Sequence, residues 1–308
     1  MKQQLKGIYA AMVTPYGKDG TVDLAMTRRL ASYLLEGGVD GIMTCGSTGE
    51  FPILEPDERR AVAEAVLSQT AGKAHLLVNV SSMSRRETAD HIRHARELGA
   101  DGILVVTPYY YLFDEESLFR YFVWISEQAA EMPVYLYNIP SNTKNAISPM
   151  LFGRLTQCCQ NICGIKDSSM DFMTYTDYQR AVGPEYTILT GNDAQILAVL
   201  QANGAGAVVA TASIFPTLVK GIYEDYMAGK LESAREKQEK IYSFRNLCRN
   251  IMPVMAHKRA LEMLGFSMGP SRIPFRSLTE IETRKLGEGM VSLGLLQSDQ
   301  LTFFLRYI

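Results

Sequence analysis

The order of apolar and polar residues predicts repeated junctions between helices and strands. Residues 37–43, 98–106 and 203–209 each place glycine and small or acidic residues before or within an apolar run. Glycine can adopt the left-handed conformation that closes a helix, and a continuous apolar run suits a parallel strand that is covered on both faces. Each segment is therefore predicted to end a helix and to begin a buried strand.

Five more apolar runs bring the predicted strands to eight, and helical stretches separate them. The five further strands are predicted at residues 8–12, 75–80, 134–137, 163–166 and 186–189, beside the three that begin within 37–43, 98–106 and 203–209. The clearest helices are predicted at 24–36, 57–71, 85–98, 115–130, 171–182, 194–202 and 216–228. Many of these helices begin near an acidic residue, Ser, Thr or Pro, which favour a helix start. Eight units at a spacing of about 30 residues favour an α/β fold of the (βα)8 TIM barrel type over a doubly wound sheet.

Helices without intervening strands follow the predicted barrel. The plainest of them cover residues 253–264 and 279–293. We therefore predict a barrel domain over residues 1–230 and a C-terminal helical extension over residues 231–308 that packs on the barrel.

Composition narrows the class of protein. The chain has 308 residues, of which 47% are hydrophobic, and a formal net charge of −2, so it is not typical of a disordered chain. Acidic and basic residues are interspersed in residues 232–240, as on a solvated helix face and unlike the basic stripe of a nucleic-acid-binding protein. The sequence shows no run of eighteen apolar residues, and its five cysteines lack paired spacing. These features predict a cytoplasmic protein that binds neither nucleic acid nor membranes.

Lys166 is the first candidate for chemistry, because TIM barrels carry their active sites at the carboxyl ends of the strands. It directly follows apolar residues at the end of the sixth predicted strand. A buried ammonium group must be paired or lose its proton, so this lysine is either an ion-pair partner of Asp167 or an amine nucleophile. An amine can condense with a ketone, and the resulting protonated imine makes the neighbouring carbon acidic enough for aldol chemistry.

Hydroxyl groups lie at or just after the ends of two other predicted strands. Ser47 and Thr48 lie between glycines, which let backbone N–H groups approach a small anion, so this loop either holds a carboxylate or is an ordinary turn. Period-two alternation puts Tyr135 and Tyr137 on one face of the fifth strand, with Tyr137 nearest the rim. A phenol there either relays protons or is a core aromatic with a satisfied hydroxyl.

An aromatic segment follows the fourth predicted strand. Tyr109, Tyr110 and Tyr111 are consecutive there. On its own, this segment is typical of a loop that stabilises an oligomer interface.

Taken in order and at barrel spacing, these segments resemble the dihydrodipicolinate synthase / N-acetylneuraminate lyase family of pyruvate aldolases over nearly the whole chain. The resemblance is carried by GSTGE at residues 46–50, TPYY at 107–110, YNIP at 137–140, GIK at 164–166 and GND at 191–193. It implies a carbon–carbon lyase that works through a pyruvate Schiff base, as a class I aldolase, with no metal or organic cofactor. It also implies pyruvate and an aldehyde as co-substrates, and a homotetramer built as a dimer of dimers.

The resemblance implies roles for individual residues as well. Lys166 would form the Schiff base and Tyr137 would be the general acid/base. Ser47 would link Tyr137 to a proton relay completed by Tyr110, which reaches in from a neighbouring subunit in this family. Thr48, with backbone groups near it and near Val208, would hold the pyruvate carboxylate.

Two positions bear on the second substrate. Family members that use aspartate semialdehyde carry an arginine where this chain has Asn142, and loss of such a charged contact costs about 2–4 kcal/mol. Sialic-acid lyases carry a glutamate after the aspartate that matches Asp193, where this chain has Ala194. A rim of Asn142, Ser168, Asp193 and Thr211 suits hydroxyl groups, so we expect a 2-keto-3-deoxy sugar acid or a hydroxylated 2-oxo acid. Synthesis of 4-hydroxy-tetrahydrodipicolinate and cleavage of N-acetylneuraminate are the alternatives.

A different class of protein also fits the carboxylate pocket. A barrel can bind a 2-oxo acid as a sensor without turning it over. Lys166, Tyr137, Ser47 and Tyr110 together favour the enzyme, because a sensor needs the carboxylate pocket but not the proton relay. Imine trapping coupled to turnover distinguishes the two.

Overall fold

Eight parallel strands close into a barrel in chain order, and β8 pairs with β1. The computed structural model describes residues 4–249 and 251–306. Within them the strands are β1 (Gly7–Ala11), β2 (Gly41–Thr44), β3 (His75–Asn79), β4 (Gly102–Val106), β5 (Val134–Asn138), β6 (Ile162–Asp167), β7 (Thr187–Thr190) and β8 (Gly206–Val209). The predicted (βα)8 barrel is confirmed.

Helices connect the strands and continue after the last one. In the same described residues they are α1 (Leu24–Glu36), α2 (Pro56–Thr70), α3 (Arg85–Leu98), α4 (Glu115–Ala129), α5 (Pro140–Thr143), α6 (Pro149–Cys158), α7 (Phe172–Ala181), α8 (Ile196–Gln201), α9 (Pro216–Met227), α10 (Leu231–Arg249), α11 (Pro253–Met263), α12 (Glu280–Ser292) and α13 (Ser298–Leu305). Short 3-10 turns lie at Phe51–Ile53, Asp193–Gln195 and Thr211–Ser213. None of the described helices is both long and apolar enough to cross a bilayer.

The predicted junctions form, although not always through glycine. Ser84 caps α3 by accepting a hydrogen bond from the backbone N–H of Glu87, and Gly99 ends α3 with a φ of 76°. At the third junction it is Asn203 that takes the left-handed conformation, with a φ of 59°. Asparagine tolerates this conformation better than most residues, so it can replace the glycine predicted there.

The lower part of the barrel interior is filled by two tyrosines. Tyr9 on β1 and Tyr135 on β5 are both almost fully buried. A Cβ atom at Gly41 would lie 2.5 Å from the Tyr9 ring, and one at Gly102 would lie 2.9 Å from the Tyr135 ring. These glycines therefore make room for the rings, and the interior below the strand ends is packed with side chains.

The helices after β8 contact the barrel at several points. Phe244 on α10 packs edge-on against Phe215, which precedes α9. The structure does not test the division between residues 230 and 231, which stays a prediction. Its outer limits, residues 1 and 308, lie outside the described residues.

Candidate active site

Lys166 and Tyr137 lie side by side at the carboxyl ends of β6 and β5. The two residues are paired in register between the strands, and Nζ of Lys166 lies 4.0 Å from the centre of the Tyr137 ring. The same Nζ lies 3.6 Å from Sδ of Met43 on β2. Lys166 is 4% exposed and Tyr137 is 3% exposed. The amine is therefore enclosed next to a phenol.

The hydroxyl of Tyr137 lies among polar groups from two loops. Burial alone would raise the pKa of Tyr137, but the charge of Lys166 and hydrogen bonds with Ser47, Lys166 and Ser168 hold its pKa below the usual value. A phenol whose ionised form is stabilised in this way can give up and recover a proton more readily.

Asp167 lies next to Lys166 in sequence but is bonded elsewhere. Its Oδ1 accepts a hydrogen bond from Nδ2 of Asn138 at 2.7 Å, and its Oδ2 accepts one from Oγ of Ser169 at 2.8 Å. Burial raises the pKa of Asp167, although these hydrogen bonds oppose the shift. Asp167 is therefore engaged by Asn138 and Ser169, which argues against Lys166 as a structural lysine paired to Asp167.

The loop of Ser47 and Thr48 is held at both ends. Cys45 and Glu50, which flank it, have φ values of 53° and 62°. Nδ2 of Asn79 donates to the carbonyl of Cys45 at 2.6 Å, and Oγ1 of Thr14 donates to the carbonyl of Gly49 at 2.8 Å. Since left-handed conformations are costly for residues other than glycine, these bonds keep the loop in one shape.

A buried ion pair lies below this loop, and it was not predicted from the sequence. Lys258 on α11 lies 2.5 Å from a carboxylate oxygen of Glu50, and the two side chains are 5% and 0% exposed. Nζ of Lys258 also lies 3.9 Å from the centre of the Tyr16 ring. Glu50 was visible as part of the GSTGE segment, but nothing in the sequence shows that its partner lies two hundred residues away in the tail.

The two predicted rim residues Asp193 and Thr211 are bonded to each other. Oδ1 of Asp193 accepts hydrogen bonds from the backbone N–H and the hydroxyl of Thr211. Gln238 on α10 supports this part of the rim, because its amide donates to the carbonyl of Asp193 at 2.8 Å and accepts from the backbone N–H of Leu197 at 2.9 Å. The tail therefore contributes to the shape of the rim.

Ser168 packs closely against the backbone of β7's following loop. A Cβ atom at Gly191 would lie 1.9 Å from Oγ of Ser168 and 2.9 Å from Cε of Lys166. Glycine at this position therefore leaves the space that both side chains occupy.

Two other predicted residues, Asn142 and Tyr110, are exposed. Asn142 is exposed on α5, where its side chain accepts a hydrogen bond from Ser141. Tyr110 is 82% exposed, has a φ of 81° and packs its ring edge-on against Tyr111. Val208 is fully buried in β8 and belongs to the same apolar cluster as Met43 and Tyr137. A single chain therefore brings together Lys166, Tyr137, Ser47 and Ser168 but leaves Tyr110 facing outward.

Residues 4–249 and 251–306 hold no group of three or more His, Cys, Asp or Glu side chains placed to bind a metal ion. The groups next to Lys166 are the phenol of Tyr137 and the sulfur of Met43, and the hydroxyls of Ser47 and Ser168 bond to that phenol. The site is thus built from an amine, a phenol and hydroxyls.

Known proteins resemble this chain over almost its whole length. The sequence model of the Dihydrodipicolinate synthetase family matches residues 4–291. An uncharacterized DapA-like lyase of Halobacterium salinarum is 35% identical over 292 residues, covering 95% of each chain, and a 4-hydroxy-tetrahydrodipicolinate synthase of Prochlorococcus marinus is 33% identical over 290 residues, covering 94% of this chain and 95% of its own.

Solved structures share the fold. A prophage protein of the dihydrodipicolinic acid synthase family from E. coli K12, in complex with pyruvate, is 28% identical with a TM-score of 0.90, covering 94% of this chain and 99% of its own. A catalytic lysine mutant of the Ruminococcus gnavus sialic acid aldolase is 26% identical with a TM-score of 0.90, covering 99% and 100%.

Proposed function

This chain belongs to the dihydrodipicolinate synthetase family, and we propose that it makes or breaks a carbon–carbon bond next to a pyruvate Schiff base on Lys166. Enzymes of this family are pyruvate-dependent Schiff-base lyases, that is, class I aldolases. The observation that carries the residue assignment is the enclosed contact between Nζ of Lys166 and the ring of Tyr137. The pyruvate bound to the E. coli prophage protein supports the same substrate here.

Tyr137 serves this chemistry as the general acid/base. The amine of Lys166 attacks the carbonyl carbon of the 2-oxo acid, and Tyr137 gives a proton to the oxygen that leaves as water when the imine forms. In cleavage, the Tyr137 phenolate takes the proton of the C4 hydroxyl, the bond between C3 and C4 breaks, C4 departs as an aldehyde, and the imine accepts the electron pair as an enamine. Protonation at C3 and hydrolysis then release pyruvate. The hydrogen bonds of Tyr137 with Ser47 and Ser168 support this proton path.

Thr48 and backbone groups near it and near Val208 hold the pyruvate carboxylate. The fixed left-handed residues on either side of the loop support this role, because a preshaped loop does not have to be ordered when the anion binds. The carboxylate then anchors the substrate, and the ketone carbon of the substrate faces Lys166.

The second part of the substrate is a hydroxylated chain, as in a 2-keto-3-deoxy sugar acid or a short hydroxylated 2-oxo acid. Ser168, Asp193 and Thr211 offer hydroxyls and one carboxylate, and Asn142 adds an amide where aspartate semialdehyde would need a charged partner. Two other activities compete with this one. The first is synthesis of 4-hydroxy-tetrahydrodipicolinate, for which the P. marinus relative is named, and the second is cleavage of sialic acid, for which the R. gnavus enzyme is named.

Enzymes of this family act as oligomers, and we assign this chain to a homotetramer in which Tyr110 completes the relay of a neighbouring subunit. The outward position of Tyr110 supports this arrangement, since its phenol is available to another chain. A left-handed φ at a tyrosine is strained, and strain of this kind is common at functional positions.

Borohydride trapping tests the Schiff base. Incubation with pyruvate and borohydride should add the mass of a reduced pyruvate imine to Lys166, as located by mass spectrometry of a digest. Lys166→Ala should abolish both the adduct and the release of pyruvate, whereas Lys144→Ala, a change at an exposed lysine, should retain both. Labelling of another lysine, or turnover by the Lys166→Ala protein, would refute the mechanism.

A substrate panel then separates the remaining functions. Pyruvate release should be fastest from 2-keto-3-deoxy acids, slower from N-acetylneuraminate, and condensation with aspartate semialdehyde should be weak. Adduct formation without turnover on any of these compounds would instead support a 2-oxo-acid sensor.

A further inference from the structure

A second bonded pair lies directly behind Lys166 and Tyr137. Asn138 and Asp167 are the next residues in β5 and β6, and they are also paired in register. Successive side chains of a strand point to opposite faces, so this pair lies on the outer face of the barrel wall while Lys166 and Tyr137 lie on the inner one. Nδ2 of Asn138 donates to Oδ1 of Asp167 at 2.7 Å, which joins the two strands at the height of the site.

The lower half of the two strands does not set this register by itself. Val134 pairs with Ile162, but Tyr135 pairs with Gly164, so β6 contains one extra residue at this point. An extra residue disrupts the regular ladder locally and twists the strand that carries it. The pairing of the upper half therefore has to be fixed by contacts above the irregularity.

Asn138 and Asp167 are well suited to fix it. They are 1% and 3% exposed. Oδ1 of Asn138 accepts a hydrogen bond from the backbone N–H of Ile147 at 3.0 Å, and the carboxylate of Asp167 accepts from both the N–H and the hydroxyl of Ser169. Each side chain is thus held by a neighbour in its own part of the chain, Ile147 or Ser169, as well as by its partner across the strands.

We propose that Asn138 and Asp167 are positioning residues that fix the distance between the Lys166 amine and the Tyr137 phenol. They act through the strand register from the outer face of the wall and do not touch the substrate. A displacement of about 1 Å between reacting groups costs about 10²-fold in rate, so a bond at this place controls turnover. The inference rests on the proposed roles of Lys166 and Tyr137.

Asn138→Asp breaks the pair with a minimal change of shape. It puts two carboxyl groups in the place of a 2.7 Å hydrogen bond, and at pH 8 the ionised forms repel each other. The swapped double variant, Asn138→Asp with Asp167→Asn, restores one amide and one carboxylate across the strands. Asn138→Leu removes the bond in any protonation state.

Asn161→Asp is the matched control. It is the same substitution at the opposite end of these strands, where Nδ2 of Asn161 donates to the carbonyls of Ser126 and Ala130. It should lower the melting temperature while kcat and KM stay near the parent values.

The two Asn138 variants should lower kcat by about 10²-fold. KM for pyruvate should stay within about threefold of the parent value, because the loop that holds the carboxylate follows β2 and is not part of the altered strands. The rate of borohydride-trapped imine formation should fall in parallel, and the swapped variant should recover kcat by about tenfold. Parental kcat in Asn138→Leu, no recovery in the swapped variant, or an equal kcat loss in Asn161→Asp would overturn the inference. If Lys166→Ala also turned over, the proposed function itself would fail.

Discussion

Replacing Glu50 by glutamine leaves the ammonium group of Lys258 without its carboxylate. Because Lys258 is 4% exposed, removal of one partner of the buried pair is expected to cost about 3–5 kcal/mol. The ring of Tyr16 still faces Nζ at 3.9 Å, and a desolvated contact of this kind retains about 1–2 kcal/mol. We therefore expect a loss of about 3 kcal/mol, near the lower limit, which corresponds to a fall in Tm of about 6 °C at ~2 °C per kcal/mol.

The loss should depend on pH in a defined direction. Burial holds the pKa of Lys258 below its usual value, and the charge of Glu50 opposes this shift. The unfolded chain then binds more protons than the folded chain between the folded pKa of Lys258 and that of an exposed lysine, so stability rises with pH in this window. Without Glu50 the folded pKa falls further, and the gain begins at lower pH. The stability gap between Glu50→Gln and the parent should therefore narrow from pH 7 to pH 9.

Denaturant unfolding at a fixed protein concentration measures the effect, because the stability of an oligomer depends on concentration. Glu232→Gln, which removes one partner of an exposed ion pair with Arg235, should cost less than about 1 kcal/mol. The double variant Glu50→Gln with Lys258→Met should be more stable than Glu50→Gln alone, since it no longer buries an unpaired charge. A Glu50→Gln protein within about 1 kcal/mol of the parent would refute this reasoning.

Four further changes test the site. Tyr137→Phe should leave the trapped pyruvate imine detectable and slow turnover by about 10²–10³-fold, the usual contribution of a positioned proton donor; turnover at the parent rate would make Tyr137 a core aromatic. Gly191→Ala should lower kcat about tenfold or more, because its Cβ would lie 1.9 Å from Oγ of Ser168, and unchanged steady-state kinetics would show that Ser168 can move freely. Asn142→Arg should shift relative rates toward aldehydes that bear a carboxylate; equal ratios across the panel would mean that residue 142 does not reach the substrate. Tyr110→Phe should slow turnover while sedimentation still shows an oligomer, and a fully active monomer of the parent would remove Tyr110 from the relay.

The local pattern of the sequence was enough for most of the fold. The bounds of α1 and α3 agree with the prediction, because caps and apolar spacing act within a few residues. The helix α6 was not among the clearest predicted helices although Ser148 caps it and Pro149 opens it, so its start signal was present. The helix predicted at residues 194–202 begins instead as a 3-10 turn at Asp193–Gln195. The side chain of Asn192 caps this turn by accepting a hydrogen bond from the backbone N–H of Ala194.

The candidate site was predictable only in part. Lys166, Tyr137 and Ser47 could be identified because each lies at or just after the carboxyl end of a strand, and all strands end at one face of the barrel. The bond between Asn138 and Asp167 could not, because the irregular pairing of β5 and β6 shifts the register by one residue and strand periodicity alone gives no sign of it. The partner of Glu50 is set by how the tail packs, which local patterns do not contain.

Because Gln238 lies in the C-terminal helices, an engineered form of this enzyme has to retain those helices as well as the barrel. One amide on α10 holds the carbonyl of Asp193 and the N–H of Leu197, so the shape of the pocket mouth depends on a helix that lies outside the ring of strands. A chimera that joins this barrel to the tail of a relative would change the shape of the rim, unless the grafted helix places an amide where Gln238 lies. Libraries that aim to change substrate range therefore have a second place to vary, remote in sequence from the loops that surround the lysine.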